Sequence, residues 1–112
     1  MKTKTIQIPI YRGTLRMYYA KDLTPLEIKY NLKSTENYGA VVLTNETKYK
    51  QYVVAFKYRN DLSLIAHEVV HLVNRIFLDC GQELDRVNDE AQAYLTGFLF
   101  NEIDKFLLTC PD

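Results

Sequence analysis

Residues 61–81 read DLSLIAHEVVHLVNRIFLDCG. With about 100° of rotation per residue, Ile65, Ala66, Val69, Val70, Leu72, Val73, Ile76 and Phe77 gather on one broad arc, the pattern of an amphipathic helix. Asn60-Asp61 offers side-chain oxygens to cap its start, and Gly81 can take the left-handed conformation that ends it. The spacing therefore predicts a helix from about Leu62 to Cys80. A second long helix is predicted from about Asp85 or Val87 to about Leu108, with Pro111 beyond it.

Upstream of this stretch the apolar period falls to two. Thr5 to Tyr11 reads as extended, and Pro9 marks it as an edge strand. Arg12-Gly13 is a turn, and Thr14 to Ala20 alternates with Leu15, Met17 and Tyr19 on one face. Thr24-Pro25-Leu26-Glu27 reads as an N-cap, a first-turn proline and a capping box, opening a short helix near residues 25–33. Tyr38 to Thr44 and Tyr49 to Tyr58 form an antiparallel pair joined by Asn45 to Lys48. Tyr52, Val54, Phe56 and Tyr58 share one face of the second strand, with Gln51, Val53, Ala55 and Lys57 on the other, which reads as half-buried. The nine tyrosines read as sheet packing and cross-strand contacts. The expected class is α+β: a small, mainly antiparallel sheet with a short helix, then two long helices packed on one face. A single domain covers residues 1–112, with a sheet half (1–60) and a helical half (61–112).

Composition narrows the function classes. The 112 residues are 47% apolar and 25% charged, as in an ordinary globular domain. No apolar stretch approaches the roughly 20 residues of a membrane span. Residues 1–10 lack the apolar core and cleavage site of a secretory signal, so a cytoplasmic location is expected. Cys80 and Cys110 make no disulfide framework and read as reduced thiols. Net charge is zero, but residues 1–50 hold nine Lys/Arg against four Asp/Glu, a balance of +5, and residues 51–112 hold five against ten, a balance of −5. Lys2, Lys4, Arg12 and Arg16 raise a nucleic-acid reading, but no helix-turn-helix, zinc knuckle or aromatic-basic RNA motif accompanies them, so no such partner is expected.

Inside the first long helix, His67-Glu68-Val69-Val70-His71 has the HExxH spacing. Residues i and i+4 lie one turn apart on the same helical face, so two imidazoles can converge on one ion. The intervening glutamate falls at the edge of that face, where it can serve as a base without being a ligand. These are the only two histidines in the chain, and random placement would put them four apart about one time in 60. On the wheel they lie away from the apolar arc, among Leu64, Asn74, Arg75 and Leu78. Leu64 and Leu78 would be stranded in water there, and the final helix is the expected cover.

A hydrolytic zinc site has three protein ligands and an open position, so the third must be a carboxylate or a cysteine. The candidates are Asp79, Cys80, Glu83, Asp85, Asp89 and Glu90. Asp79 and Cys80 lie too far along the first helix, Cys80 about 13 Å from His71. Asp85 falls in the turn between helices. Glu90 opens the second helix and shares a face with Ala93, Tyr94 and Gly97. Ala93 and Gly97 would let that helix pack tightly on the metal helix, a reason for a glycine that otherwise costs about 1 kcal/mol against alanine.

HEVVH followed 19 residues later by a glutamate that opens a helix resembles the gluzincin metallopeptidases. Asn88 to Leu95 resembles their glutamate-bearing helix, and the whole chain is similar to the minimal single-domain forms called minigluzincins, which occur in bacteriophages and bacterial mobile elements. The resemblance implies zinc ligands His67, His71 and Glu90, with Glu68 as catalytic base. It also implies that a substrate strand adds to a sheet edge, expected at Tyr49 to Tyr58. Larger gluzincins place a further histidine or tyrosine on a later domain to stabilise the oxyanion. Tyr94, one turn after Glu90, is the local substitute, with a backbone donor as the other option.

The expected activity is a zinc-dependent hydrolase acting on a peptide or protein substrate. Zinc would acidify water and polarise the scissile carbonyl, and Glu68 would take the proton and return it to the leaving amine. The alternative is a zinc-fold binding or regulatory module, weak or inactive as a catalyst and of phage origin.

Overall fold

The computed structural model describes residues 1–111. In chain order the elements are β1 (Lys2–Gln7), β2 (Thr14–Tyr19), α1 (Thr24–Tyr30), β3 (Ala40–Leu43), β4 (Gln51–Phe56), α2 (Leu62–Asp79) and α3 (Glu90–Thr109). The four strands form one sheet in the order β1-β2-β4-β3. The β1/β2 and β3/β4 pairs are antiparallel, and β2/β4 is parallel, with Leu15 opposite Tyr52 and Met17 opposite Val54. The α+β class and the mainly antiparallel sheet are as the periodicity predicts. No helix among the described residues is long and apolar enough to cross a membrane.

Alternation along the strands sorts the core into two layers. Leu15, Met17 and Tyr19 of β2, with Tyr52, Val54 and Phe56 of β4, pack under α2 and α3. Tyr18, Val53, Ala55 and Leu43 point the other way and pack against Leu23 and Leu26 of the α1 segment. The long helices share one face as expected, and α1, which the sequence pattern did not place, covers the opposite face. For the same reason β4 is not half-buried: Val53 and Ala55 are as buried as Val54 and Phe56. A parallel neighbour on one side and an antiparallel one on the other make it a central strand.

Local details depart from expectation where tertiary partners outbid local ones. Helix α1 begins at Thr24 rather than being capped by it. Leu23 occupies the cap position, and no side chain caps the helix. The Thr24 hydroxyl donates to Asp22 Oδ1 (2.6 Å), while Glu27 Oε2 accepts from the backbone N–H (2.8 Å) and hydroxyl (2.7 Å) of Thr35. The expected capping box is replaced by a tie to the loop before β3. Strand β1 stops at Gln7, and Pro9 lies in the turn that follows. Gly13, at φ +111°, closes that turn, and a Cβ there would meet Lys50 O at 2.7 Å. That close approach lets Thr14 N donate to Lys50 O (3.0 Å) and start the parallel pairing.

Helix α2 is anchored at both ends. Asp61 Oδ1 accepts from Leu64 N (3.1 Å) and the Ser63 hydroxyl (2.7 Å), as its capping position predicts. At the far end Tyr52 donates to Asp79 Oδ2 (2.6 Å), and Tyr49 donates to the Asp79 carbonyl (2.7 Å). Arg75 bridges Asp79 Oδ1 (3.1 Å) and Asn45 Oδ1 (2.6 Å). Burial first, and then the bond to Asp79, pushes the Tyr52 hydroxyl far above its ordinary pKa. These contacts fix the azimuth of α2 against the β3–β4 hairpin.

Candidate metal centre

With α2 pinned at both ends, its histidine face meets the rim of the sheet. His67 and His71 are exposed, and their Nε2 atoms lie 3.3 Å apart, with the rings inclined at 73°. Two nitrogens each about 2.0–2.1 Å from one tetrahedral ion would be about 3.3–3.4 Å apart. The pair therefore already has the separation that chelation demands.

Glu68 lies at the other edge of that face and is only 5% exposed. Burial pushes its carboxyl pKa above the ordinary 4.5, while the two histidines pull the other way. No hydrogen bond to its carboxylate forms among the described residues, and since no fully buried side-chain N or O atom among them lacks a partner, its oxygens keep access to the groove. A nearly buried carboxylate without a donor, beside two convergent imidazoles, fits a site that expects a cation. One ligand atom from each of His67, Glu68 and His71 lies within 4.8 Å of the others.

The wall opposite α2 is strand β3. His67, Glu68 and His71 share a groove of about 390 Å3 with Tyr38, Ala40, Val41, Val42 and Thr44. Gly39 brings this wall close: a Cβ there would meet Tyr58 Cε2 at 3.1 Å and Leu64 Cδ2 at 3.3 Å. Leu64 is thus half-covered, with the loop before β3 against it. Leu78 stays 71% exposed, so the expected cover of this side by α3 does not form.

The structure does not bring Glu90 or Tyr94 to the histidines. Glu90 is exposed in the first turn of α3, and Tyr94 is 77% exposed. Both line a shallow groove with Ala93, Gly97 and Phe98. A Cβ on Gly97 would meet nothing within 4 Å, so this glycine permits no close helix approach. The reason is rotational. Leu95, Leu99, Ile103, Phe106 and Leu107 form the buried stripe of α3, and at about 100° per residue Glu90, Ala93, Tyr94 and Gly97 lie on the opposite side.

One residue at the site escaped the sequence reading. Tyr38 lines the groove beside His67 and Glu68. Its place just before β3 was the sole clue, and nothing local ties it to a motif 29 residues further on.

Fold and site together define a small α+β domain whose helix α2 carries a His-Glu-His group able to hold a metal ion. Comparison with protein-family models, curated proteins and solved structures finds no match to the chain.

Proposed function

We propose that this domain is a zinc-dependent hydrolase acting on peptide bonds, built on its HExxH helix without the glutamate ligand that a gluzincin would add. The observation that supports this most is the pair of Nε2 atoms 3.3 Å apart beside the buried Glu68 carboxylate. His67 and His71 would hold the ion, and their nitrogen donors, with a carboxylate at hand, suit zinc. When bound, zinc supplies Lewis acidity toward a carbonyl and lowers the pKa of water. Glu68, its side chain nearly buried and its carboxylate open to the groove, accepts the proton of the attacking water and delivers it to the departing amine. Its raised pKa suits that exchange, because such a carboxylate retains a proton more readily than an exposed one.

The substrate strand is assigned to β3 rather than to Tyr49–Tyr58. Strand β4 is paired on both sides, whereas β3 ends the sheet beside the histidines. An extended peptide could add to that free edge by main-chain hydrogen bonds. The oxyanion donor moves likewise from Tyr94 to Tyr38, which lines the groove. Glu90 is not counted as a ligand in this arrangement. That same absence favours the second reading, a zinc-fold binding module with little turnover.

The test is a peptide library with and without chelator, read beside zinc stoichiometry. Wild-type protein should bind one zinc and cleave, and chelation should abolish cleavage. Glu68→Gln should keep zinc within about threefold and lower turnover by about 10²–10⁴-fold. Undiminished cleavage by that variant overturns the role of Glu68. Stoichiometric zinc with no cleavage by the wild type favours the binding module.

A further inference from the structure

The sheet face opposite α2 and α3 carries a second groove, of about 520 Å3, formed by β1, β2, β4, the end of α1 and the β3–β4 loop. Its lining includes Arg16, Lys29 and Lys48, with Glu46 as the one acidic residue among the described ones. The ion pairs found among the described residues lie elsewhere, at Arg75–Asp79 and Lys105–Glu102. Two of the three cations instead converge on a pair of phenols. Lys29 Nζ donates to Tyr18 Oη (3.2 Å), and Tyr18 Oη lies 2.9 Å from Tyr30 Oη. Lys29 Nζ also sits 5.5 Å from the Tyr30 ring centre. Arg16 Nε donates to Thr5 Oγ1 (2.9 Å), and Arg16 lies on the same face of β2 as Tyr18, two residues on. Two positive charges are thus gathered around one hydroxyl pair, with no carboxylate between them.

Like charges held together in a concave site raise the local potential and attract a counter-ion. A guanidinium fork and two ammonium groups set against a single glutamate suit a ligand with more than one negative charge. The hydroxyls of Thr14 and Tyr30 add donors suited to a group rich in acceptor oxygens. We infer that this groove is an anion site that takes a phosphate group, either free or as the monoester of a small molecule. The groove is larger than a bare phosphate, which leaves room for the organic part. None of His67, Glu68 and His71 lines it, so the assignment stands independently of the proposed hydrolase.

The probe is inorganic phosphate, titrated at pH 7.5 and low ionic strength into the full chain, with side-chain and backbone nitrogens followed by NMR. Saturable shifts at Arg16 Nε and at the amides of Lys29 and Thr47, with a midpoint in the low millimolar range or below, are expected. His67 and His71 should not respond. The double variant Arg16→Gln, Lys29→Gln should weaken binding at least about tenfold, and Lys48→Gln alone about threefold, which keeps a test available if the double variant does not fold. Ribose 5-phosphate serves as the ester probe: tighter binding than phosphate identifies an ester as the ligand, and equal binding identifies free phosphate. Absence of saturation by about 20 mM, or undiminished binding in a folded double variant, overturns the inference. So does an Arg16-dependent affinity for a single-stranded oligonucleotide when phosphate itself does not bind, because the groove would then serve a nucleic acid.

Discussion

Helix α2 directs its ionisable face at the rim of the sheet, whereas α3 directs its own toward solvent. Both are long, and both carry an acidic residue beside small or aromatic ones. In α2 the convergent groups lie within five consecutive residues, so the helical repeat alone brings them together. In α3 the corresponding groups could reach the site only if the helix had the right rotation about its axis. That rotation is governed by the Leu95–Leu99–Ile103–Phe106–Leu107 stripe, each member worth about 1.5–3 kcal/mol when buried. An exposed Glu90 and a glycine have no comparable driving force. A site built within one helix is therefore robust to packing, and one built across two helices is hostage to it.

This contrast can be broken most directly at the stripe. Leu99→Ala removes a fully buried side chain and should cost about 2–5 kcal/mol in denaturant unfolding. A cost below about 1 kcal/mol would mean that α3 is not held by this face. Gly97→Ala should act in the opposite direction. With nothing within 4 Å of a new Cβ, the substitution should stabilise the fold by about 0.5–1 kcal/mol, read as a higher denaturant midpoint. Destabilisation would show that α3 packs closely through Gly97 after all.

On α2 the expected effect depends on pH. The Glu68 pKa is higher in the folded protein than its ordinary 4.5, so between those values the folded state binds more protons than the unfolded chain. The stability that this difference provides is complete below about 4.5 and is lost as pH rises through the folded pKa. Glu68→Gln should therefore melt higher than wild type at pH 7 in chelator, and the gap should close below pH 4.5. A gap that persists unchanged at pH 4 would separate the effect from ionisation.

The smallest effect is expected at Glu90. Glu90→Ala should change zinc affinity by less than about threefold in a competition titration, because the residue lies outside the His-Glu-His group. A loss of tenfold or more would place the first turn of α3 at the metal and restore Glu90 as a ligand.

Much of the fold was legible because its signals are local. Asp61 caps α2, and Gly81 follows its end at φ +68°. Leu15, Met17 and Tyr19 share a buried face, and the β3–β4 hairpin pairs as its spacing predicts. The misread details share a different origin. Glu27 left its capping role for Thr35, eight residues away. Strand β4 became central because β2 pairs with it in parallel across an intervening helix, a contact no local pattern announces. Tyr38 entered the site because Gly39 lets its loop close on Leu64.

The amino-acid order by itself determined the His67-Glu68-His71 constellation, since a 3.6-residue repeat places i and i+4 on one face whatever surrounds the helix. It also determined which strand residues share a face, because strand alternation has a fixed period. Only the tertiary structure decided which strand edge borders the histidines, that α1 covers the second face of the sheet, and that Glu90 and Tyr94 look away from the site. Those outcomes depend on the relative rotation and order of elements. Burial of the largest apolar stripes settles both, and no single segment encodes them.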